Sequence, residues 1–190
     1  MATTTPAAPQ IPETVYGIYC GGIDQASAQK VVNNLAIAGN AKVKHVHLLF
    51  QTAGGYVGDG VFLYNLFRTI PIEITLYNAG QISSAGVTAY LGAKRRITSK
   101  TATFMLHRST NSPQFATSTQ LQHVAKSLVL DDQRTEAIFR NHVKFPPELW
   151  AEIQYRDIYV SGEEAVKFGL ADGIGEFSPS AGTVVFNILG

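Results

Sequence analysis

An acyl bond can be hydrolysed by a hydroxyl nucleophile, an imidazole that takes its proton and a carboxylate that orients the imidazole. The sequence holds candidates for all three. The hydroxyls are Ser83 and Ser84, within Asn78-Ala79-Gly80-Gln81-Ile82-Ser83-Ser84-Ala85-Gly86. This stretch separates an apolar extended run from a helical pattern. A serine at such a junction is aimed out of the sheet, and the first helical N–H groups carry partial positive charge suited to a developing oxyanion. The Gly-x-Ser-x-Gly elbow pattern is absent, and helix capping by either serine is the competing reading.

Among the histidines, His107 ends the run Phe104-Met105-Leu106, which would carry it to the rim of a sheet. His45 and His47 lie two apart and share a strand face; no third ligand stands near them, so they read as polar strand surface rather than a metal site. His123 and His142 read as helix-face residues. Asp157, between a helical and an extended segment in Tyr155-Arg156-Asp157-Ile158-Tyr159, suits a partly buried carboxylate, or a local ion pair with Arg156. Asp59, Asp131, Asp132 and Asp172 are alternatives, the middle two reading as solvated. A second small-residue junction, Thr52-Ala53-Gly54-Gly55, allows positive φ and close approach to the backbone; its plain reading is a tight turn.

Positioning these groups requires a sheet whose strands end where helices begin. Extended and helical patterns alternate along the chain: Val15 to Cys20 then Ala26 to Ala38, His45 to Gln51 then Val57 to Thr69, Ile72 to Asn78 then Ala85 to Ala93. This predicts an α/β fold with a mostly parallel sheet. A strand near Thr103 to His107 precedes the longest helical signal. That helix opens with Thr117 and Gln120 at capping-box spacing and runs for about 25 residues, roughly 37 Å at ~1.5 Å per residue, so part of it is expected to protrude and to seek a partner. Pro146-Pro147 starts a short helix through Gln154, and Ser161 begins another. Residues 1–12 are expected to form a disordered tail and 13–190 a single domain.

Composition narrows the classes. With 45% hydrophobic residues in 190, a packed core needs no staples, and the single cysteine, Cys20, cannot form an intrachain disulfide. The formal charge of +1, with Lys94-Arg95-Arg96 the main basic cluster, gives no footprint for nucleic acid. No apolar run reaches the ~18 residues that span a bilayer, so a cytoplasmic protein without membrane contact is expected.

Together these residues resemble the proteolytic subunit of the Clp protease, a serine peptidase family within the crotonase-like fold. Gly80-Gln81-Ile82-Ser83-Ser84-Ala85-Gly86 is similar to the family's Gly-Gln-Ala-Ala-Ser-Met-Gly, Met105-Leu106-His107 to its Met-Ile-His, and Gly54-Gly55 to the end of its Ser-Pro-Gly-Gly. Arg156-Asp157, with Ser161-Gly162-Glu163-Glu164-Ala165 and Phe168-Gly169-Leu170-Ala171-Asp172, resembles the stretch around its aspartate. The likeness runs from about Tyr16 to Phe177. In the family's order, 23 positions separate Ser84 from His107 and 50 separate His107 from Asp157. The chain departs from the pattern at Thr52-Ala53, at Tyr155, and at Thr110-Asn111-Ser112-Pro113-Gln114, where the family has a glycine-rich peptide-aligning strand.

The resemblance implies a ClpP-like α/β domain with a handle helix, and a triad of Ser84, His107 and Asp157. Backbone N–H groups of Gly55 and Ala85 would form the oxyanion hole. It implies endopeptidase action on unfolded proteins or short peptides inside a homo-oligomeric ring or double ring, with an AAA+ unfoldase as a possible partner, and neither cofactor nor metal. The departures motivate a different class, a catalytically idle ring subunit or adaptor. Two further readings are acyl-thioester chemistry, for which no basic phosphate site is evident, and a Ser-Lys dyad using Lys94, Lys100 or Lys126.

Overall fold

The computed structural model describes residues 12–189, so apart from Pro12 the expected tail lies outside the described residues. The chain runs β1 (Thr14–Cys20), α1 (Gln25–Asn40), β2 (His45–Gln51), α2 (Val57–Thr69), β3 (Glu73–Asn78), β4 (Gln81–Ser83), α3 (Ala85–Tyr90), β5 (Arg95–Thr98) and β6 (Thr103–Leu106). There follow α4 (Ser118–His142), α5 (Pro147–Glu152), β7 (Ile158–Ser161), α6 (Gly162–Lys167), β8 (Gly173–Ile174) and β9 (Val185–Asn187).

Six strands form one sheet in the order β8-β5-β3-β2-β1-β9, every pairing parallel. Parallel neighbours need crossovers, and α1 and α2 supply the first two. On β2, Val46, Leu48 and Phe50 face the core while the residues between them are half-buried. Ile74 and Leu76 of β3, with Leu63 and Phe67 of α2, complete that layer. Burying each such side chain contributes about 1.5–3 kcal/mol.

A second sheet has three strands, β4-β6-β7: β4 pairs with β6 in parallel and β6 with β7 antiparallel. Sequence reasoning missed β4, β5, β8 and β9, and marked β7 only as the extended segment after Asp157. They have two to four residues, too few for alternation to register. The helix expected to reach Ala93 ends at Tyr90, whose hydroxyl donates to the Ile97 carbonyl at 2.8 Å. The helix expected to reach Gln154 ends at Glu152.

The long helix α4 has the expected capping box between Thr117 and Gln120 and continues unbroken through Asp131–Arg134, for 25 residues. Only Ile138 and Phe139 of it are buried, while Leu121, Val129 and Leu130 are each at least half exposed. Residues 118–130, about its first half, are exposed except for the half-buried Val124 and Leu128, so this part projects from the rest of the domain. Among the described residues, no helix is long and apolar enough to cross a membrane.

Candidate active site

Ser84 sits between β4 and α3 with φ 54° and ψ −128°, a backbone conformation that costs a non-glycine residue about 1–3 kcal/mol. Such strain persists only where the surroundings impose it, and a sharp strand-to-helix turn of this kind lifts the serine hydroxyl out of the sheet. The Ser84 side chain does not cap α3. Its Oγ instead lies 2.8 Å from Nε2 of His107, the residue after β6. With the ring proton on Nδ1, the Ser84 hydroxyl donates to Nε2, the geometry in which a base can take its proton. Ser83 is buried, and its Oγ accepts from Gln81 Nε2 at 2.7 Å.

The pairing of β4 with β6 brings the two together. Ser83 is in register with Met105, so the strands end side by side, and Ser84 N–H donates to the Met105 carbonyl at 2.8 Å. The amide of Ser84 is therefore engaged. The next amide, of Ala85, donates to no backbone or side-chain acceptor among the described residues, and neither does that of Gly55.

Gly55 reaches this place through a turn that only glycines fit. Gly54 has φ +96° and Gly55 φ +153°, and a Cβ on Gly55 would overlap the Ile23 carbonyl oxygen. Ile23 N–H donates to the Gly54 carbonyl and Tyr56 N–H to the Ile23 carbonyl, both at 2.9 Å, so the turn is laced to the loop after β1.

Asp157 is placed differently from expectation. It stands just before β7, and the antiparallel register Thr103↔Ser161 to Leu106↔Ile158 brings it opposite His107 one step beyond the ladder. Its side chain is exposed rather than partly buried, and no hydrogen bond joins it to His107. The expected local pair with Arg156 is also absent, because Arg156 pairs with Glu152 at 2.5 Å, one helical turn back.

Three of the four alternative aspartates have partners of their own. Asp172 binds Arg96, Asp131 binds Arg134, and Asp59 lies half-buried in the first turn of α2. Asp132, expected to be solvated, has a side chain only 15% exposed. It pairs with Arg108 at 3.2 Å and accepts the Ser109 N–H at 2.7 Å. Arg108 also meets Glu136 at 3.3 Å. This network ties the segment after His107 to α4. It was invisible in the sequence because its members lie 23 or more positions apart.

The remaining histidines make local contacts. His47 Nδ1 lies 2.8 Å from the Tyr77 hydroxyl, His45 lies 3.5 Å from Glu73, and His142 Nε2 lies 3.0 Å from the Tyr64 hydroxyl. Burial holds the imidazoles of His47 and His142 below their ordinary pKa. His123, Lys94, Lys100 and Lys126 are exposed, and the partner of Ser84 is His107 rather than a lysine.

Comparison with known proteins follows the same lines. A family model described as Clp protease matches residues 14–178. ATP-dependent Clp protease proteolytic subunit 2 of Pseudomonas aeruginosa is 26% identical over 156 residues, which are 81% of this chain and 77% of that protein. Proteolytic subunit 3 of Rhizobium etli is 27% identical over 157 residues, 81% of this chain and 80% of that protein. Among solved structures, a point mutant of ClpP1 from Listeria monocytogenes superposes with a TM-score of 0.74 at 22% identity, covering 87% of this chain and 92% of that one, a likeness of fold.

Proposed function

Because the chain belongs to the Clp protease family, we propose that it is a serine endopeptidase subunit in which Ser84 is the nucleophile and His107 the general base. The observation that carries this reading is the 2.8 Å contact of His107 Nε2 with Ser84 Oγ at a serine held in a strained backbone. In the proposed reaction Oγ attacks the peptide carbonyl as its proton passes to Nε2. The N–H groups of Gly55 and Ala85 receive the negative oxygen. The imidazolium then protonates the leaving amine, and water, activated by the same ring, hydrolyses the acyl-enzyme. Asp157, opposite His107 in register, is the acid assigned to orient the imidazole once the loop before β7 turns inward. No cofactor takes part.

The reading extends to assembly. The projecting start of α4, with Leu121, Val129 and Leu130 uncovered around it, supplies apolar side chains for contact with other copies of this chain. A ring or double ring enclosing the serines would restrict substrates to unfolded proteins and short peptides. The relatives named above are called ATP-dependent, and we extend to this chain delivery of substrate by an AAA+ unfoldase, in the cytoplasm.

The test is hydrolysis of short fluorogenic peptides by the purified, assembled protein. The wild type should turn over, and Ser84→Ala and His107→Gln should each lose the activity while keeping the assembly.

One observation favours a second reading, an idle ring subunit: Asp157 is exposed and makes no bond to His107. An assembled wild type without peptidase activity would select it.

A further inference from the structure

We propose that Thr52 is the positioning residue of the oxyanion hole, its hydroxyl setting the direction of the Gly55 amide and its backbone and methyl group fixing the nucleophile's strand and helix against that amide. The inference rests on the reading of Ser84, Gly55 and Ala85 given above.

Four contacts meet at this one residue. Thr52 is 2% exposed, and its Oγ1 accepts the Gly54 N–H at 3.0 Å, a buried hydrogen bond two residues along the chain. This closes a turn that leaves the following amide, of Gly55, without an acceptor. The Thr52 backbone bridges one edge of β4 around Ile82: its N–H donates to the Gln81 carbonyl at 3.2 Å, and its carbonyl accepts from Ser83 N–H at 3.0 Å. Ser83 immediately precedes the nucleophile. Finally, the Thr52 Cγ2 methyl occupies the space where a Cβ on Gly86 would stand, so it abuts the first turn of α3 next to Ala85. One amide of the hole is thus held through the hydroxyl and the other through the methyl.

The hydroxyl and the methyl can be separated. Thr52→Val keeps the branched shape but leaves the buried Gly54 N–H without its acceptor. Thr52→Ser keeps the acceptor and loses the methyl. A misaimed amide weakens binding of the transition state and leaves substrate binding almost unchanged. Removing an oxyanion donor outright costs about 10²- to 10³-fold in rate, so misaiming one should cost about 10- to 100-fold.

The experiment measures kcat and KM on a short peptide, together with inhibition by a peptide aldehyde, whose adduct with Ser84 carries the oxyanion. For Thr52→Val we expect kcat lowered about 10- to 100-fold, KM within about twofold, and aldehyde affinity reduced by a factor similar to that in kcat. Thr52→Ser, which loses the methyl against Gly86 but keeps the acceptor, should lose less than about 10-fold in kcat, a smaller fall than that of Thr52→Val. If Thr52→Val does not assemble, Thr52→Ser and Thr52→Ala, which both lack the methyl and differ in the hydroxyl, make the same comparison. Equal rates for hydroxyl-bearing and hydroxyl-free variants, or a fall in kcat with aldehyde affinity unchanged, would overturn the proposal while the wild type remained active. An inactive wild type would instead overturn the peptidase reading, and this proposal with it.

Discussion

Gly54 and Ser84 lie so close that a Cβ on Gly54 would stand 2.6 Å from Ser84 Cβ and 3.2 Å from its Oγ. Contact this tight sets the reacting hydroxyl against the turn whose next amide is assigned to the oxyanion. Gly54→Ala would meet both this overlap and a φ of +96°. We expect it to destabilise the fold by about 2 kcal/mol or more and to abolish peptide turnover, as read by thermal unfolding and an activity assay. A fully active alanine variant would show that the turn can yield.

Asp157 and Asp132 should separate orientation from stability. Asp157 is exposed and unpaired with Arg156, so Asp157→Asn should shift stability by less than about 0.5 kcal/mol. If it orients His107 during turnover, its kcat should fall by about 10⁴-fold. Asp132→Ala should do the reverse. It removes the acceptor of the Ser109 amide and the partner of Arg108, and should cost about 1–3 kcal/mol in stability. Kinetics and denaturation of the two variants check the pair, and unaltered turnover in Asp157→Asn would leave a two-residue Ser-His mechanism.

Acidification should destabilise the fold through its histidines. The ordinary value is 6.5, and burial, first among the causes, holds the folded His47 and His142 below it. The unfolded chain therefore binds more protons in that range. Their contribution is whole above 6.5 and is lost as pH falls through that value toward the lower folded ones. Tm should drop between about pH 7.5 and pH 5.5, and the double variant His47→Gln, His142→Gln should flatten that dependence. An unchanged slope in the double variant would assign the titration elsewhere.

The uncovered apolar side chains of α4 should matter for assembly more than for folding. Val129 and Leu130 are 54% and 55% exposed in the single chain. Replacing both with aspartate should leave the circular dichroism intact and shift sedimentation to smaller species. No change in sedimentation would remove α4 from the interface.

What could be read from the sequence tracks the length over which each signal acts. α2 and β2 match their patterns to the residue, and Thr117 with Gln120 marks the start of α4, because capping and periodicity are local. The Ser84 and His107 segments stood out as a junction and a strand end. Their meeting depends on the pairing of β4 with β6, which strands of three and four residues do not announce. Asp157 was placed by resemblance, and its exposure follows from the loop before β7, which no pattern described. The bond from Gly54 N–H to Thr52 is an exception, since a threonine two residues before a glycine turn is a recognisable signal.

Covalent labelling by a fluorophosphonate, with the modified residue mapped by mass spectrometry, tests the nucleophile assignment most directly. Ser84 contacts His107 while Ser83 is buried and bonded to Gln81. The adduct should therefore appear on Ser84 alone, persist in Ser83→Ala and vanish in Ser84→Ala and His107→Gln. An assembled wild type that takes no label, or takes it on any other residue, would contradict the assignment.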